Sequence, residues 1–180
     1  ASPIAYSADN PTPKEMTRED MDQVRDDFVS AAGRAQEAGF DMLELHCAHG
    51  YLLNTFISPK TNTREDEYGG SMENRLRYPL EVFAAIRAAW PAEKPISVRI
   101  SANDWIENGI TPEDAVEIAK AFKLAGCDIL DVSSGQVVSE EEPEYGRLFQ
   151  LPFSDRIRLE ADMPTMTVGN IQSYADANSI

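Results

Sequence analysis

The chain has 180 residues, of which 42% are apolar and 26% are charged, an ordinary composition for a globular domain with its own core. Its 31 acidic and 16 basic residues give a formal net charge of −15, which argues against a nucleic-acid or anionic-membrane partner. No apolar run approaches the roughly 20 residues of a membrane span, and no charged-then-apolar leader opens the chain, so we expect a cytoplasmic protein. Cys47 and Cys127 lie far apart without a C-x-x-C motif, which predicts neither a zinc site nor a cluster.

The N-terminal part of the chain predicts a loop followed by a helix. Residues 1–16 hold three prolines and show little periodicity, which is typical of an extended loop. Thr17 and Asp20 form a variant of the capping box that begins helices, and Gly39 is a typical residue just past a helix end. Apolar residues recur between them at helical spacing, which predicts a helix: Met21, Val24, Phe28, Ala31, Ala35 and Ala38.

Strands and helices alternate along the rest of the chain. Short apolar runs predict strands at 42–46, 96–100, 129–132 and 163–168. Helical patterns separate them at 72–90, from Thr111 to Gly126, and near 154–161. Residues 52–72 predict a long polar connection, and such irregular segments are usually functional. Ser173 has the character of an N-cap for a last helix, which the chain end truncates.

This alternation predicts an α/β domain over residues 17–180, with four βα units, a parallel sheet and right-handed crossovers. Because no Gly-rich nucleotide fingerprint is present, the units fit part of a (β/α)₈ TIM barrel better than a doubly wound sheet. A full barrel needs about 250 residues, so we expect this chain to cover about half of one. Its first and last strands would then be open edges.

Two histidines dominate the candidate site. His46 and His49 are the only histidines in the chain, and both lie at the end of the first strand, followed closely by Tyr51. Since the carboxyl ends of parallel strands line the active-site rim of a barrel, we interpret this stretch as a site rather than as ordinary core histidines. The spacing of the histidines also admits a metal, but no third ligand is evident and we assign none.

The other strands supply further polar groups to the same rim, among them Ser133-Ser134 at the end of the third strand. Arg99 interrupts the apolar second strand, where a buried guanidinium needs an electron-rich partner or an ion pair with Glu44 or Asp131. Gly169-Asn170 follows the fourth strand, where backbone N–H groups can hold a phosphate. That signal is weak alone, because any tight turn favours these residues.

Several motifs together resemble the Old Yellow Enzyme family of FMN-dependent NAD(P)H oxidoreductases, which are built on a (β/α)₈ barrel. The motifs occur in the family's order across nearly the whole chain: His46 to Tyr51, Ser58 to Asn62, Arg64, Asp66 to Ser71, Glu73 to Arg75, Val98 to Ser101, Val132 to Gly135 and Val168 to Asn170. Pro79 to Phe83 and Leu148 to Gln150 are most similar to the reductase domain of bifunctional salicylyl-CoA 5-hydroxylase or anthraniloyl-CoA monooxygenase/reductase proteins.

The resemblance implies that the chain corresponds to barrel strands four to seven and serves an ene-reductase that uses FMN with NADH or NADPH. It implies that His46 and His49 bind the substrate's carbonyl oxygen, with Tyr51 as proton donor. It also implies cofactor-binding roles for Arg99, at the flavin pyrimidine edge, and for Gly169-Asn170, at the phosphate. The family takes further residues from the first three strands and a phosphate-binding Gly-Arg from the eighth.

The expected partners are a small-molecule enone or acyl-CoA-type substrate and a second copy of the chain, with neither nucleic acid nor membrane. Two alternatives stay open from the residues alone. One is an inactive barrel fragment that associates with itself through its open strand edges. The other is a metal-dependent barrel lyase or isomerase that uses His46 and His49.

Overall fold

The computed structural model describes all 180 residues and contains one four-stranded parallel sheet. The strands are β1 (Leu43–Cys47), β2 (Ile96–Ser101), β3 (Ile129–Ser133) and β4 (Thr165–Thr167), and they lie in chain order in the sheet. The expected parallel α/β arrangement is therefore confirmed, with β1 and β4 as its edges.

Six helices accompany the sheet: α1 (Arg18–Glu37), α2 (Leu52–Ile57), α3 (Met72–Ala89), α4 (Pro112–Leu124), α5 (Leu151–Glu160) and α6 (Tyr174–Ala177). The sequence signals at the helix starts are confirmed. Thr17, Thr111 and Ser173 each form a complete capping box with the acidic residue three positions on. Each box provides partners for backbone N–H groups that would otherwise have none at a helix start.

Three expected boundaries were wrong. The stretch predicted as one irregular connection from 52 begins with α2, because its apolar residues at helical spacing bury Leu53, Phe56 and Ile57. Helix α5 starts at Leu151, three residues earlier than expected, since a proline is well suited to the first turn. Strand β4 has only three residues, because Pro164 has no N–H to donate and a side chain binds the Val168 carbonyl.

The core lies between the outer face of the sheet and the helices. Val98, Ile100 and Leu130 project from the central strands and are completely or almost completely buried. Aromatic rings fill the space against α3 and α4, where Phe83 and Phe122 meet edge to face with centroids 5.8 Å apart. This packed outer layer fixes the sheet, so that residues on the opposite face are held in a defined register.

The inner face of the sheet is polar. Side chains alternate along each strand, and the cross-strand register places His46, Arg99 and Asp131 side by side in one row. Ser101 and Ser133 form the next row toward the carboxyl ends of the strands. The inner face of the sheet therefore presents titratable groups and hydroxyls at the end where the strands stop.

An apolar groove of about 310 Å³ runs between α1, α3 and the edge strand β1. Of the apolar residues that recur at helical spacing from Met21 to Ala38, Ala31 and Ala38 are exposed, whereas Ala32, outside that set, is buried. Phe28, Ala31 and Ala35 line the groove, since no further element of this chain packs on that side of β1.

None of the helices is both long and apolar enough to cross a membrane.

Candidate active site

Three rings cluster where β1 ends. His46 is the penultimate residue of β1, His49 lies in the following turn, and Tyr51 is the N-cap residue of α2. The His46 ring centroid lies 5.2 Å from that of His49 and 5.2 Å from that of Tyr51. The Tyr51 side chain is 63% exposed, so its hydroxyl is accessible to a ligand above the sheet.

The backbone of His49 is held in an unusual conformation. Its φ of 61° lies in the left-handed region, which a non-glycine residue adopts only at a cost. The His49 N–H donates to the Ser101 hydroxyl at 2.9 Å, and that hydroxyl donates to the Gly135 carbonyl, also at 2.9 Å. Gly50 is required next in the chain, because a Cβ there would lie 2.8 Å from the Gln136 carbonyl oxygen.

The His49 side chain joins a network that crosses the sheet. Its Nε2 lies 2.8 Å from the Ser133 hydroxyl at the end of β3. The Gln150 amide continues the network, because its Nε2 donates to the Val168 carbonyl at 3.1 Å and its Oε1 accepts from the Ser134 hydroxyl at 2.6 Å. The strand ends of β1, β3 and β4 are thereby connected through side chains.

Both histidines are neutral at pH 7. Burial lowers the pKa of His46, and the adjacent Arg99 guanidinium lowers it further. Burial, Arg99 and His46 together lower the pKa of His49 to about 4. A neutral imidazole donates a hydrogen bond from only one nitrogen. Since Nδ1 of His46 is buried without a partner, Nε2 is the nitrogen of His46 that remains for a ligand.

Arg99 forms the ion pair that the sequence allowed, with Asp131 rather than Glu44. The Arg99 Nε lies 3.3 Å from the Asp131 Oδ2, but the geometry does not satisfy a hydrogen bond. Burial raises the pKa of Asp131, while Arg99 opposes that shift. The Arg99 side chain is 30% exposed toward the inner face. Its remaining donors are therefore suited to an electron-rich group bound above the sheet.

Gly169 and Asn170 form the turn after β4, with φ values of 111° and 57°. A Cβ on Gly169 would lie 2.8 Å from the Phe149 ring and 2.9 Å from the Gln150 amide nitrogen, so only glycine fits. A cavity of about 160 Å³ lies at the strand ends, and His49, Arg99, Ser133, Gln150 and Val168 contribute to its lining. His46, Tyr51 and Gly169 lie outside that lining.

Sequence reasoning did not assign roles to Ser101 and Gln150. Ser101 lies two residues after Arg99, so strand alternation places it on the same face, which is the signal that could have found it. Gln150 gave no such signal, because its partners are 16 to 18 residues away in a neighbouring strand end. No group of three or more His, Cys, Asp and Glu side chains could hold a metal ion.

A family model described as the NADH:flavin oxidoreductase / NADH oxidase family matches residues 2–180. The chain belongs to this family. The resemblance to the Old Yellow Enzyme family that was stated from the sequence is thereby confirmed, while the finer likeness to bifunctional CoA-ester proteins stays a prediction.

Curated relatives support the assignment. An NADPH dehydrogenase of Geobacillus sp. (strain WCH70) is 47% identical over 179 residues, which are 99% of this chain and 52% of the relative. An NADPH dehydrogenase of Bacillus subtilis (strain 168) is 41% identical over the same shares. The chain thus spans about half the length of the curated relatives it matches.

Solved structures give the same result. A 2-naphthoyl-CoA reductase in complex with 2-naphthoyl-CoA superposes with a TM-score of 0.88 at 27% identity, covering 97% of this chain and 27% of that one. Morphinone reductase gives 0.74 at 28% identity, with 94% and 45% covered. The old yellow enzyme homologue from Zymomonas mobilis gives 0.73 at 27% identity, with 99% and 52% covered. The expectation of about half a TIM barrel is therefore confirmed.

Proposed function

We propose that this chain provides the substrate clamp and the flavin pyrimidine contact of an NAD(P)H oxidoreductase that reduces α,β-unsaturated carbonyl compounds. The observation that carries the proposal is the cluster of His46, His49 and Tyr51 rings, one strand away from the Arg99 guanidinium. Bound FMN would supply the hydride, drawn from NADH or NADPH, that is added to the β-carbon of the substrate.

The residues of the inner face fit this cofactor. Arg99 has donors that Asp131 does not satisfy, and a guanidinium suits the N1/C2=O edge of a flavin, where negative charge develops on reduction. Gly169 and Asn170 form the turn after β4, where backbone N–H groups can hold a phosphate, and we assign them to the phosphate end.

The two histidines would act on the carbonyl oxygen of the substrate. As the β-carbon is reduced, negative charge develops on that oxygen, and two imidazole N–H donors stabilise it. Because both imidazoles are neutral at pH 7, they act as hydrogen-bond donors and not as cations. Donors that are already positioned contribute more to the transition state than donors that must reorient.

Tyr51 would supply the proton that completes the reduction at the α-carbon. Its ring contacts His46, and its side chain extends from the start of α2 toward solvent above the clamp. A phenol in this position can reach a carbon atom whose carbonyl oxygen is held by His46 and His49. The outcome is that hydride and proton are added to adjacent carbons of the same substrate.

For the substrate class we favour aromatic acyl-CoA compounds over simple enones. Two observations support this choice. One is the likeness of Pro79 to Phe83 and of Leu148 to Gln150 to reductase domains of bifunctional CoA-ester enzymes, and the other is the superposition on 2-naphthoyl-CoA reductase. Comparing cyclohexenone with an aromatic CoA thioester as oxidants tests it. Equal kcat/KM values for the two compounds would contradict the preference.

The cofactor assignment is tested in two proteins. The parent protein, meaning the polypeptide that completes this chain to a full barrel, should be yellow, release FMN on denaturation, and be reoxidised by an enone after anaerobic reduction with NAD(P)H. A colourless parent protein that fails to bind added FMN would refute the proposal. The 180-residue chain alone should bind FMN weakly or not at all, and equilibrium dialysis showing micromolar or tighter binding would contradict that part.

A second candidate is a self-associating barrel fragment without activity, and the apolar groove beside the edge strand β1 favours it. Unlike the proposed oxidoreductase, this second candidate predicts that the parent protein binds no flavin. No arrangement of side chains favours a metal-dependent lyase or isomerase over these two.

A further inference from the structure

The hydrogen-bond network around His49 contains enough fixed donors and acceptors to determine where its proton lies. A neutral imidazole carries one N–H, on either Nδ1 or Nε2, and only that nitrogen can stabilise negative charge on a ligand. The Nε2 of His49 is engaged by the Ser133 hydroxyl at 2.8 Å, whereas Nδ1 makes no hydrogen bond within the chain. The nitrogen left for a ligand is therefore Nδ1.

The orientation of the Gln150 amide follows from its partners. The Val168 carbonyl can only accept, so the amide nitrogen, 3.1 Å away, must face it. The amide oxygen then faces Ser133 and Ser134, and it can only accept. Ser134 donates to it at 2.6 Å, an ideal length for such a bond. Gln150 is 4% exposed, so water offers little alternative to these partners.

The remaining proton is that of the Ser133 hydroxyl. It has two acceptors within reach: the Gln150 oxygen at 3.4 Å, which also accepts from Ser134, and the His49 Nε2 at 2.8 Å. The first distance exceeds the usual range for O–H···O bonds and the second lies well within hydrogen-bond range. Ser133 therefore donates to Nε2, which leaves that nitrogen without a proton.

We propose that Ser133 is a positioning residue that holds His49 in the Nδ1–H tautomer, so that a hydrogen-bond donor faces the ligand site. Without Ser133, either nitrogen could carry the proton, and molecules protonated at Nε2 would present a lone pair to the ligand. The catalytic meaning of this tautomer rests on the proposed function, but the tautomer itself is a property of the chain alone.

Nuclear magnetic resonance of the 180-residue chain tests the proposal directly. A long-range ¹H–¹⁵N correlation spectrum at pH 7.5 distinguishes protonated from unprotonated ring nitrogens, and this chain has only two histidines. A His46→Gln variant assigns the signals. We expect Nδ1 of His49 to be protonated and Nε2 to resonate far downfield. Protonation at Nε2 in the unsubstituted chain would overturn the proposal.

Substitutions then test whether Ser133 is the cause. Ser133→Ala should shift the His49 signals toward the Nε2–H pattern, and Ser133→Thr, which keeps the hydroxyl, should not. Ser97→Ala is the matched control, because it removes another buried hydroxyl from the same face without touching His49. If Ser133→Ala fails to fold, Ser133→Cys replaces the hydroxyl with a weaker donor of similar size and should shift the signals in the same direction.

Unchanged His49 signals in a folded Ser133→Ala or Ser133→Cys variant would overturn the proposal. Because these spectra need no flavin, the result is independent of whether the parent protein binds FMN. The two proposals can therefore fail separately.

Discussion

The Ser58 hydroxyl donates to the Oδ2 atom of Asp104 at 2.6 Å and so joins the segment after α2 to the loop after β2. The same oxygen accepts the Ile110 N–H at 2.8 Å, while Oδ1 is buried without a partner. Asp104 is completely buried, and this burial raises its pKa to about 6. One of the loops that surround the site therefore contains an acid that titrates near neutral pH.

Asp104 should make the chain less stable as the pH rises through 6. In the native state the Asp104 carboxyl keeps its proton up to about pH 6, whereas in the unfolded state it loses the proton near pH 3.8. The free energy of unfolding therefore decreases as the pH rises through 6. Between about pH 5 and 7.5 this amounts to roughly 1.4 kcal/mol. Denaturant unfolding should show that the stability of Asp104→Asn, relative to the unsubstituted chain, increases by this amount over that range. Asp9→Asn, at an exposed position, is the matched control substitution.

Replacing His46 with Ala in the parent protein should lower the rate of enone reduction on the order of 100-fold, because a donor to the developing negative charge is lost. Flavin content should be unchanged. His46→Asn keeps an N–H donor at this position and should recover part of the rate. Stopped-flow measurement with saturating enone decides the matter, and an unaltered rate for His46→Ala would remove this residue from the reaction.

Tyr51→Phe should slow oxidation of the reduced parent protein by enones while leaving reduction by NAD(P)H unaffected. The substitution removes a proton donor but keeps the ring that contacts His46. Each half-reaction is followed separately by flavin absorbance under anaerobic conditions. Equal slowing of both halves would argue for a structural role of the hydroxyl.

Gly169→Ala should destabilise the chain by roughly 1–3 kcal/mol, because a Cβ at a φ of 111° is strained and collides with Phe149 and Gln150. Gly146→Ala is the matched control, since no atom lies near its added Cβ. The midpoints of urea unfolding give the comparison. Similar midpoints for both variants would mean that the turn after β4 can rearrange to admit a side chain.

The isolated 180-residue chain should associate into dimers or larger species. The edges β1 and β4 expose unpaired backbone groups, and the groove beside β1 exposes apolar surface, which favours burial at about 25 cal/mol per Å². Ala31→Lys places a charge in the groove and should shift the species toward monomer in light scattering. Leu124→Lys, at a position 91% exposed elsewhere, should not. A monomer at high micromolar concentration would contradict the prediction.

The sequence predicted the four strands and the starts of α1, α3 and α4, because these depend on local signals, such as the capping box at Thr17 and the proline after Thr111. It also predicted that His46, His49 and Tyr51 would lie together, because they are close in sequence. It placed Ser133 on the same rim as His49, but it could not predict the hydrogen bond between the two side chains, since 84 residues separate them in the sequence. It did not identify Asp104, because the raised pKa of this residue comes from burial, which no local sequence pattern indicates.

The parallel ladder determines one distance that loops cannot alter. His46 and Arg99 are partners in adjacent strands, which lie about 4.8 Å apart. The spacing between the two is therefore set by backbone pairing and not by the segment 136–149, which lies over the site. Grafting that segment from a relative should change which molecules gain access while leaving the separation of the two side chains intact. Engineering of substrate selectivity can therefore change the loops while the spacing of His46 and Arg99 on the inner face stays constant.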